Sequence, residues 1–425
     1  MTSAPQPPST PRSVPAAALL FLTLAGVAWL AATLGLVRRP DLLLGAPAEP
    51  AMLALTHLLV LGFLSSLLFG VGYILGPVMA AAPLWRRGLA WLHLLLHAAG
   101  TLWMVLGFLF QDFAEVGYGG MLVFAGLMLF FVNLTATGSR HSRWEADHLA
   151  FHGGLFWLLI TGGLALFIAA SKFHPLTVQD PRILLAAHSH FGFGGFVLLL
   201  LFGLTLRWIR LQSVPSARPG PLSWIGGGAI HLALFLVFPA LLPSGFVSLA
   251  VPRFLLLFGT LAFLLDALRL LFSARRSLDP SLGVIGLGLL LLVPVISAAT
   301  VVPPSLLAGL PGLTGDPTEW SRLYLLLALF GPATVILTGL ASRLTPQLLW
   351  QVWRPREGIS PTLPPVRGPY VIALSLILAW AYLAAGLALA QPEGIRIAAL
   401  LAAFSLILFL VGLRPALHRA FAAAN

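Results

Sequence analysis

Histidine is the residue type in this chain with the most chemistry to offer. There are 11, and nine lie in or at the ends of long apolar runs, where an imidazole is costly and marks a functional site. Two of them open matching segments, His57-Leu-Leu-Val-Leu-Gly62-Phe63 and His190-Phe-Gly-Phe-Gly-Gly195-Phe196. Neutral imidazoles at equal depth on two helices can clasp a planar metal macrocycle from both faces, and a b-type haem with two axial histidines is the natural candidate. His188 stands two residues before His190, about 160° away around a helix, so one helix can serve two sites on opposite sides. A second set, His93 and His97 at i,i+4 together with His231, lies deeper toward the other membrane half. Three imidazoles of this kind suit copper or non-haem iron, with interhelical hydrogen bonding as the equal alternative.

The other polar groups read more simply. His148 and His152 form another i,i+4 pair behind Glu145 and Asp147, and with His141 they make an interfacial charged turn rather than a metal site. Asp266 and Arg269, three apart near the inner end of their span, read as a paired, snorkelling couple, with a proton-conducting carboxylate as the sharper alternative. His174 and His418 fall in loop and tail and receive no role. Gly226-Gly227-Gly228 lacks the strand and the Lys-Ser/Thr of a phosphate loop, so it is expected to let a helix pack closely or flex. The absence of Cys excludes disulfides, Fe–S clusters, thiolate metal sites and covalent c-type haem.

Elements able to hold such residues follow from composition. Only 9% of the 425 residues are charged and 59% are hydrophobic, with a mean hydropathy of +0.97, against roughly 25% charged in a soluble domain. Most of the chain must therefore be dissolved in lipid, and no stretch between apolar runs is long enough to be a soluble catalytic domain. The expected fold is all-α and polytopic, with about twelve membrane spans starting near Pro15, Ala51, Gly88, Gly119, Leu149, Arg182, Pro221, Val251, Pro280, Glu319, Pro369 and Gly394. Residues 1–14, rich in Pro and Ser, read as a disordered cytoplasmic tail, and 15–425 as a single transmembrane domain. The run from Ala16 to Val37 is longer than the roughly 7–15 residues of a signal-peptide core. Of the 24 Lys and Arg residues, 17 fall in the tails and even-numbered loops and 7 in the odd-numbered ones, which predicts both termini in the cytoplasm. That asymmetry and anionic lipid account for the net charge of +11. The scattering of Arg among loops argues against nucleic acid as a partner.

The matching segments extend into a repeat. Leu68-Phe69-Gly70 follows His57 at the same distance as Leu201-Phe202-Gly203 follows His190, and Gly331 and Gly339 in the tenth span keep the same glycine spacing. The third copy has Leu326 in place of the histidine. Copies at spans two, six and ten imply three pseudo-symmetric four-helix units in parallel orientation, approximately 15–145, 146–278 and 279–425, unlike an inverted-repeat transporter. The paired glycines fall broadly on one side of each helix, where a neighbouring helix or a flat ligand can come close.

With these features the chain resembles subunit I of the haem-copper oxidase superfamily, which includes the nitric oxide reductases. The resemblance rests on twelve spans in three four-helix units, on Thr56-His57-Leu58-Leu59-Val60-Leu61-Gly62-Phe63 followed by Gly76-Pro77, and on Ala187-His188-Ser189-His190-Phe191. It is similar, more narrowly, to stand-alone relatives of the C-type cytochrome oxidase branch. The helical frame matches throughout; specific motifs match in the second and sixth spans only. What the resemblance implies is a bacterial inner-membrane protein with His57 and His190 on a bis-His haem b and His188 available to a second haem or metal. It also implies electron transfer or nitric oxide or oxygen chemistry, and cytochrome c or a quinol as electron donor. In the family the His-x-His pair stands on the tenth span, whereas here it is on the sixth, and the seventh-span His-His pair of the copper side is missing. Two further readings stay open: a haem or copper carrier or nitric oxide sensor without turnover, and a solute transporter with structural histidines.

Overall fold

The structure is a computed structural model that describes residues 13–46, 49–139, 144–174, 181–213, 218–242, 247–273, 279–301, 326–353 and 364–422. Twelve helices in it are long and apolar enough to cross a membrane: α1 (Val14–Arg38), α2 (Pro50–Ala80), α3 (Arg87–Leu109), α4 (Phe113–Gly138), α5 (Ala146–Ala170), α6 (Ile183–Gln212), α7 (Pro221–Leu241), α8 (Ala250–Phe272), α9 (Pro280–Ala298), α10 (Leu326–Trp353), α11 (Pro369–Ala388) and α12 (Pro392–Arg419). The chain is thus a polytopic, all-helical membrane protein. The tail before Ser13, His141 and the expected start of the tenth span near Glu319 lie outside the described residues.

Local chemistry sets where the spans begin. Pro occupies the first turn of α2, α7, α11 and α12, where its missing N–H costs nothing and its fixed φ favours the helix. The Asp112 side chain accepts from the N–H groups of Ala114 and Glu115. That cap starts α4 at Phe113, earlier than the expected Gly119, because the helix runs on past its apolar stretch.

Three helices form the centre. Windows of α2, α6 and α10 are 72%, 89% and 82% buried, whereas no other span exceeds 56%, and the three touch one another. The other nine surround them with contacts that recur every four helices. α1 meets α3, α5 meets α7 and α9 meets α11; α3–α4, α7–α8 and α11–α12 are hairpins; and α4–α5, α8–α9 and α12–α1 close the ring. The wide turns of π-helix recur too, over Leu58–Ser65 in α2, Phe191–Leu198 in α6 and Leu329–Ala333 in α10. Each contains the first glycine of the repeated pair, and such turns are rare and concentrate at functional sites.

The glycine pairs serve helix packing rather than a flat ligand. A Cβ built on Gly203 would sit 2.6 Å from the Phe151 nitrogen and 2.8 Å from the Asp147 carbonyl of α5. Gly70 and Gly339 stand in the same way against the Ala18 and Ser281 carbonyls, at 3.0 and 2.9 Å. The first glycines meet side chains, Ala28 at Gly62, Trp157 at Gly195 and Trp380 at Gly331. The hairpins use a second device: Gly226 of α7 abuts the Gly259 carbonyl of α8, at 2.6 Å from a Cβ position, and Gly100 of α3 abuts the Gly119 carbonyl of α4, at 2.7 Å. Close packing is therefore the role of Gly226 in the triple-glycine run.

Overpacking at a backbone contact costs about 1–3 kcal/mol. Gly203→Ala should accordingly lower the thermal unfolding midpoint of the detergent-purified protein. Gly117→Ala, with no heavy atom within 4 Å of the new methyl, should leave the midpoint unchanged or raise it through better helix propensity.

Candidate haem and metal sites

His57 sits about two turns into α2 and His188 less than two turns into α6, which places both in the same membrane half. His57 Nδ1 lies 2.8 Å from the Leu53 carbonyl, and its ring stacks on Phe108 of α3 at 4.9 Å between centres. His188 Nδ1 lies 3.1 Å from the Thr161 carbonyl of α5. Carbonyl oxygens only accept, so in both rings Nδ1 carries the proton and Nε2 is left with its lone pair. Metal-ligating histidines show this arrangement, in which the outer hydrogen bond fixes tautomer and ring direction. The two rings lie within electrostatic reach of each other. Both rings are half-buried.

His190 has the same local form, with Nδ1 2.8 Å from the Ala186 carbonyl, but it faces elsewhere. Its charged neighbour is Arg253 at the start of α8, and it is exposed. Of the two α6 imidazoles, His188 is thus the one within electrostatic reach of His57.

The same logic separates the second set. His93 and His97 are fully buried among Phe21, Phe69 and Phe130, between α1, α2 and α4. His231 lies on α7, where its Nδ1 accepts from the Trp157 indole N–H at 3.0 Å and its ring borders Gly153. An indole only donates, so the His231 proton is on Nε2. Among the described residues no cluster of three ligand groups joins His93, His97 and His231; His97 follows His57 by 40 residues and His231 follows His190 by 41, nearly corresponding positions in two units.

Glu145, Asp147 and His148 do gather within 4.8 Å, yet their donor atoms are occupied. Asp147 is fully buried and faces His148 Nδ1 at 3.1 Å, Arg210 at 3.2 Å and Arg207 at 3.5 Å. Arg210 also pairs with Glu145. His148 Nε2 reaches the Met79 carbonyl at 2.9 Å, and Arg207 reaches those of Val78 and Met79 at 2.7 and 3.1 Å. Both His148 nitrogens therefore face acceptors. The network ties the start of α5 to the ends of α2 and α6, in keeping with a charged turn. His152, beside it, bonds the His148 carbonyl at 3.0 Å and packs on Trp144.

Asp266 is paired as well. It accepts from Arg269 at 2.8 Å, from Ser223 Oγ at 2.6 Å and from the Gly220 N–H at 2.5 Å, so it caps the start of α7. Asn133 of α4 does the equivalent for α3, bonding both the N–H and the carbonyl of Arg86. Sequence reasoning missed Asn133, the Arg207 and Arg210 partners of Asp147, and Tyr73, whose hydroxyl lies 3.0 Å from His93 Nδ1. Asn133 and Thr137 at i,i+4 in an apolar run were a usable signal; the other partners are far from their acceptors in sequence and became visible only in the fold.

No known protein-family model matches the chain, and no curated protein matches it by sequence.

Removing one partner of a buried ion pair costs about 3–5 kcal/mol, because the remaining charge loses its compensation. Asp147→Asn should therefore depress the unfolding midpoint steeply. Asp41→Asn is the contrast: Asp41 is exposed outside the spans, where Arg39 holds its carboxyl below the usual range by a hydrogen bond, and its loss should barely move the midpoint.

Proposed function

We propose that this is a haem b protein of the bacterial inner membrane, with an architecture like subunit I of the haem-copper oxidases and both termini in the cytoplasm. His57 and His188 would hold the haem between α2 and α6. The observation that carries this reading is the pair of imidazoles within electrostatic reach across two central helices, each with Nδ1 pinned to a main-chain carbonyl and Nε2 free. The donor set fits the group: two neutral imidazoles, each with its Nδ1 on a main-chain carbonyl, and no thiol in the chain.

A haem there supplies one-electron chemistry and an iron able to meet a diatomic gas such as nitric oxide or oxygen. The chain's own residues do the rest. Leu53 and Thr161 fix the two tautomers through their carbonyls, and Phe108 holds the His57 ring plane by stacking. The surrounding helices exclude water. The neutral ligand pair keeps the site free of fixed charge, and cytochrome c or a quinol would be the electron donor. The histidines expected to build a copper centre lie in other places, His93 and His97 on α3 and His231 on α7. That separation favours electron transfer, carriage or sensing over oxygen reduction.

Purified protein should show a Soret band and, when reduced, a b-type α-band. His57→Ala and His188→Ala should each abolish the native spectrum, while His190→Ala should retain it. A colourless, iron-free preparation, or a spectrum indifferent to His188→Ala, would contradict the proposal; the first result would leave a transporter with structural histidines.

A further inference from the structure

A cavity of about 50 Å³ lies between α1, α2, α10, α11 and α12. Trp29, Leu59, Leu326, Phe330, Trp380 and Ala399 stand in its wall, and among the described residues every lining residue is buried except Phe330 and Trp380, which are half-buried. Leu59 comes two residues after His57 on α2, so the cavity lies in the same membrane half as that ring.

The repeat accounts for its place. The His57 and His188 rings and the groups that orient them come from α2, α3 (Phe108), α5 (Thr161) and α6. Moved one unit round the ring of helices, these four become α10, α11, α1 and α2, and all four line the cavity. The repeat puts Leu326 where α2 has His57 and Leu55 where α6 has His188. On α1 the Thr33 hydroxyl donates to the Trp29 carbonyl at 2.9 Å, as Thr161 does to the Trp157 carbonyl on α5 at 2.7 Å. That pair sits one residue along from the register in which Gly62 meets Ala28 and Gly195 meets Trp157. The cavity is therefore the counterpart of the histidine pair with leucine at both positions.

The polar hydrogens in the wall are committed elsewhere. The Trp29 and Trp380 indoles donate to the Ala402 and Leu327 carbonyls at 2.8 and 2.9 Å, and apart from Thr33 the other lining side chains are Leu, Ile, Ala and Phe. A buried water needs about two to four polar partners, so this space stays dry, and a hydrogen-bonding or charged ligand would lose its solvation with no return. Size narrows the apolar candidates. An apolar cavity of roughly 150 Å³ takes benzene or xenon, and this one has about a third of that volume. A macrocycle or a quinone ring does not enter it; a single atom or a diatomic molecule does. Nonpolar gases dissolve readily in hydrocarbon, so the lipid around α11 and α12 supplies them. We infer that this cavity binds a small gas molecule that makes no demand for hydrogen bonds, of the class of dioxygen or nitric oxide. The site shares no residue with the His57–His188 pair and does not rest on the haem reading.

The probe is xenon, which is inert and scatters X-rays strongly. Crystals of the full-length protein, pressurised with xenon, should show an anomalous peak against Trp29 and Leu326, and so should His57→Ala, whatever becomes of its haem. Ala399→Leu, which fills the space, should reduce the peak at least roughly tenfold. It should also leave the unfolding midpoint unchanged or raise it, since filling a true void avoids the cost of overpacking. If that variant fails to fold, Ala379→Val is the smaller filling, and the position of the wild-type peak decides the matter by itself. No xenon in the wild-type cavity, a peak undiminished in a folded filling variant, or ordered water in the space would overturn the site. So would a lipid or detergent chain running into it, which would make it a seat for a hydrocarbon tail instead.

Discussion

Everything in this molecule hangs on the contact of α2, α6 and α10 with one another and with the helices that embrace them. The second glycine of each repeated pair lets the first helix of its unit approach to main-chain distance, and no larger residue fits there. Once Gly70, Gly203 and Gly339 are seated against Ala18, Asp147 and Ser281, the depth and rotation of the three central helices are fixed. Dispersion from so many close contacts replaces the hydrophobic drive that lipid does not supply between helices.

That constraint decides which histidines meet. His188 and His190 stand about 160° apart around the α6 axis, so the rotation of that helix determines which of the two can turn toward His57. The wide turns begin one residue after His57 and one after His190, so each ring sits at the junction between ordinary helix and a widened turn. The charged groups act at the rim: Asp147 with Arg207 and Arg210, and Asp266 with Arg269, join helix ends and keep charge out of the interior. What remains inside includes imidazole, hydroxyl, amide and indole groups, among them His93, Tyr73, Asn133 and Trp157 with the partners named above.

Much of the frame was legible in the sequence, because it is written in composition and spacing. Lipid-length apolar runs give the spans, and the spacing of eight between Gly62 and Gly70, Gly195 and Gly203, and Gly331 and Gly339 marks the three central helices. The pairing of Asp266 with Arg269 was legible because three residues is less than one helical turn. Side-chain partnership across helices was not. Offsets of 40 and 41 linked His97 and His231 to their repeat partners, and that likeness is the reason they stand apart. The partner of His57 depends on the rotation of α6, which glycine contacts with α5 set and no local pattern announces. Tyr73 and Asn133 belong to the His93 neighbourhood through α2 and α4, tens of residues away along the chain.

A chain without cysteine offers a direct probe of which imidazole faces which. Short bifunctional thiol reagents can be applied to two double variants in native membranes, one combining His57→Cys with His188→Cys and the other His57→Cys with His190→Cys. The first should cross-link within a single chain and the second should not. Efficient cross-linking of the second pair with the first pair unreactive would contradict the facing of His57 and His188, and with it the site between α2 and α6.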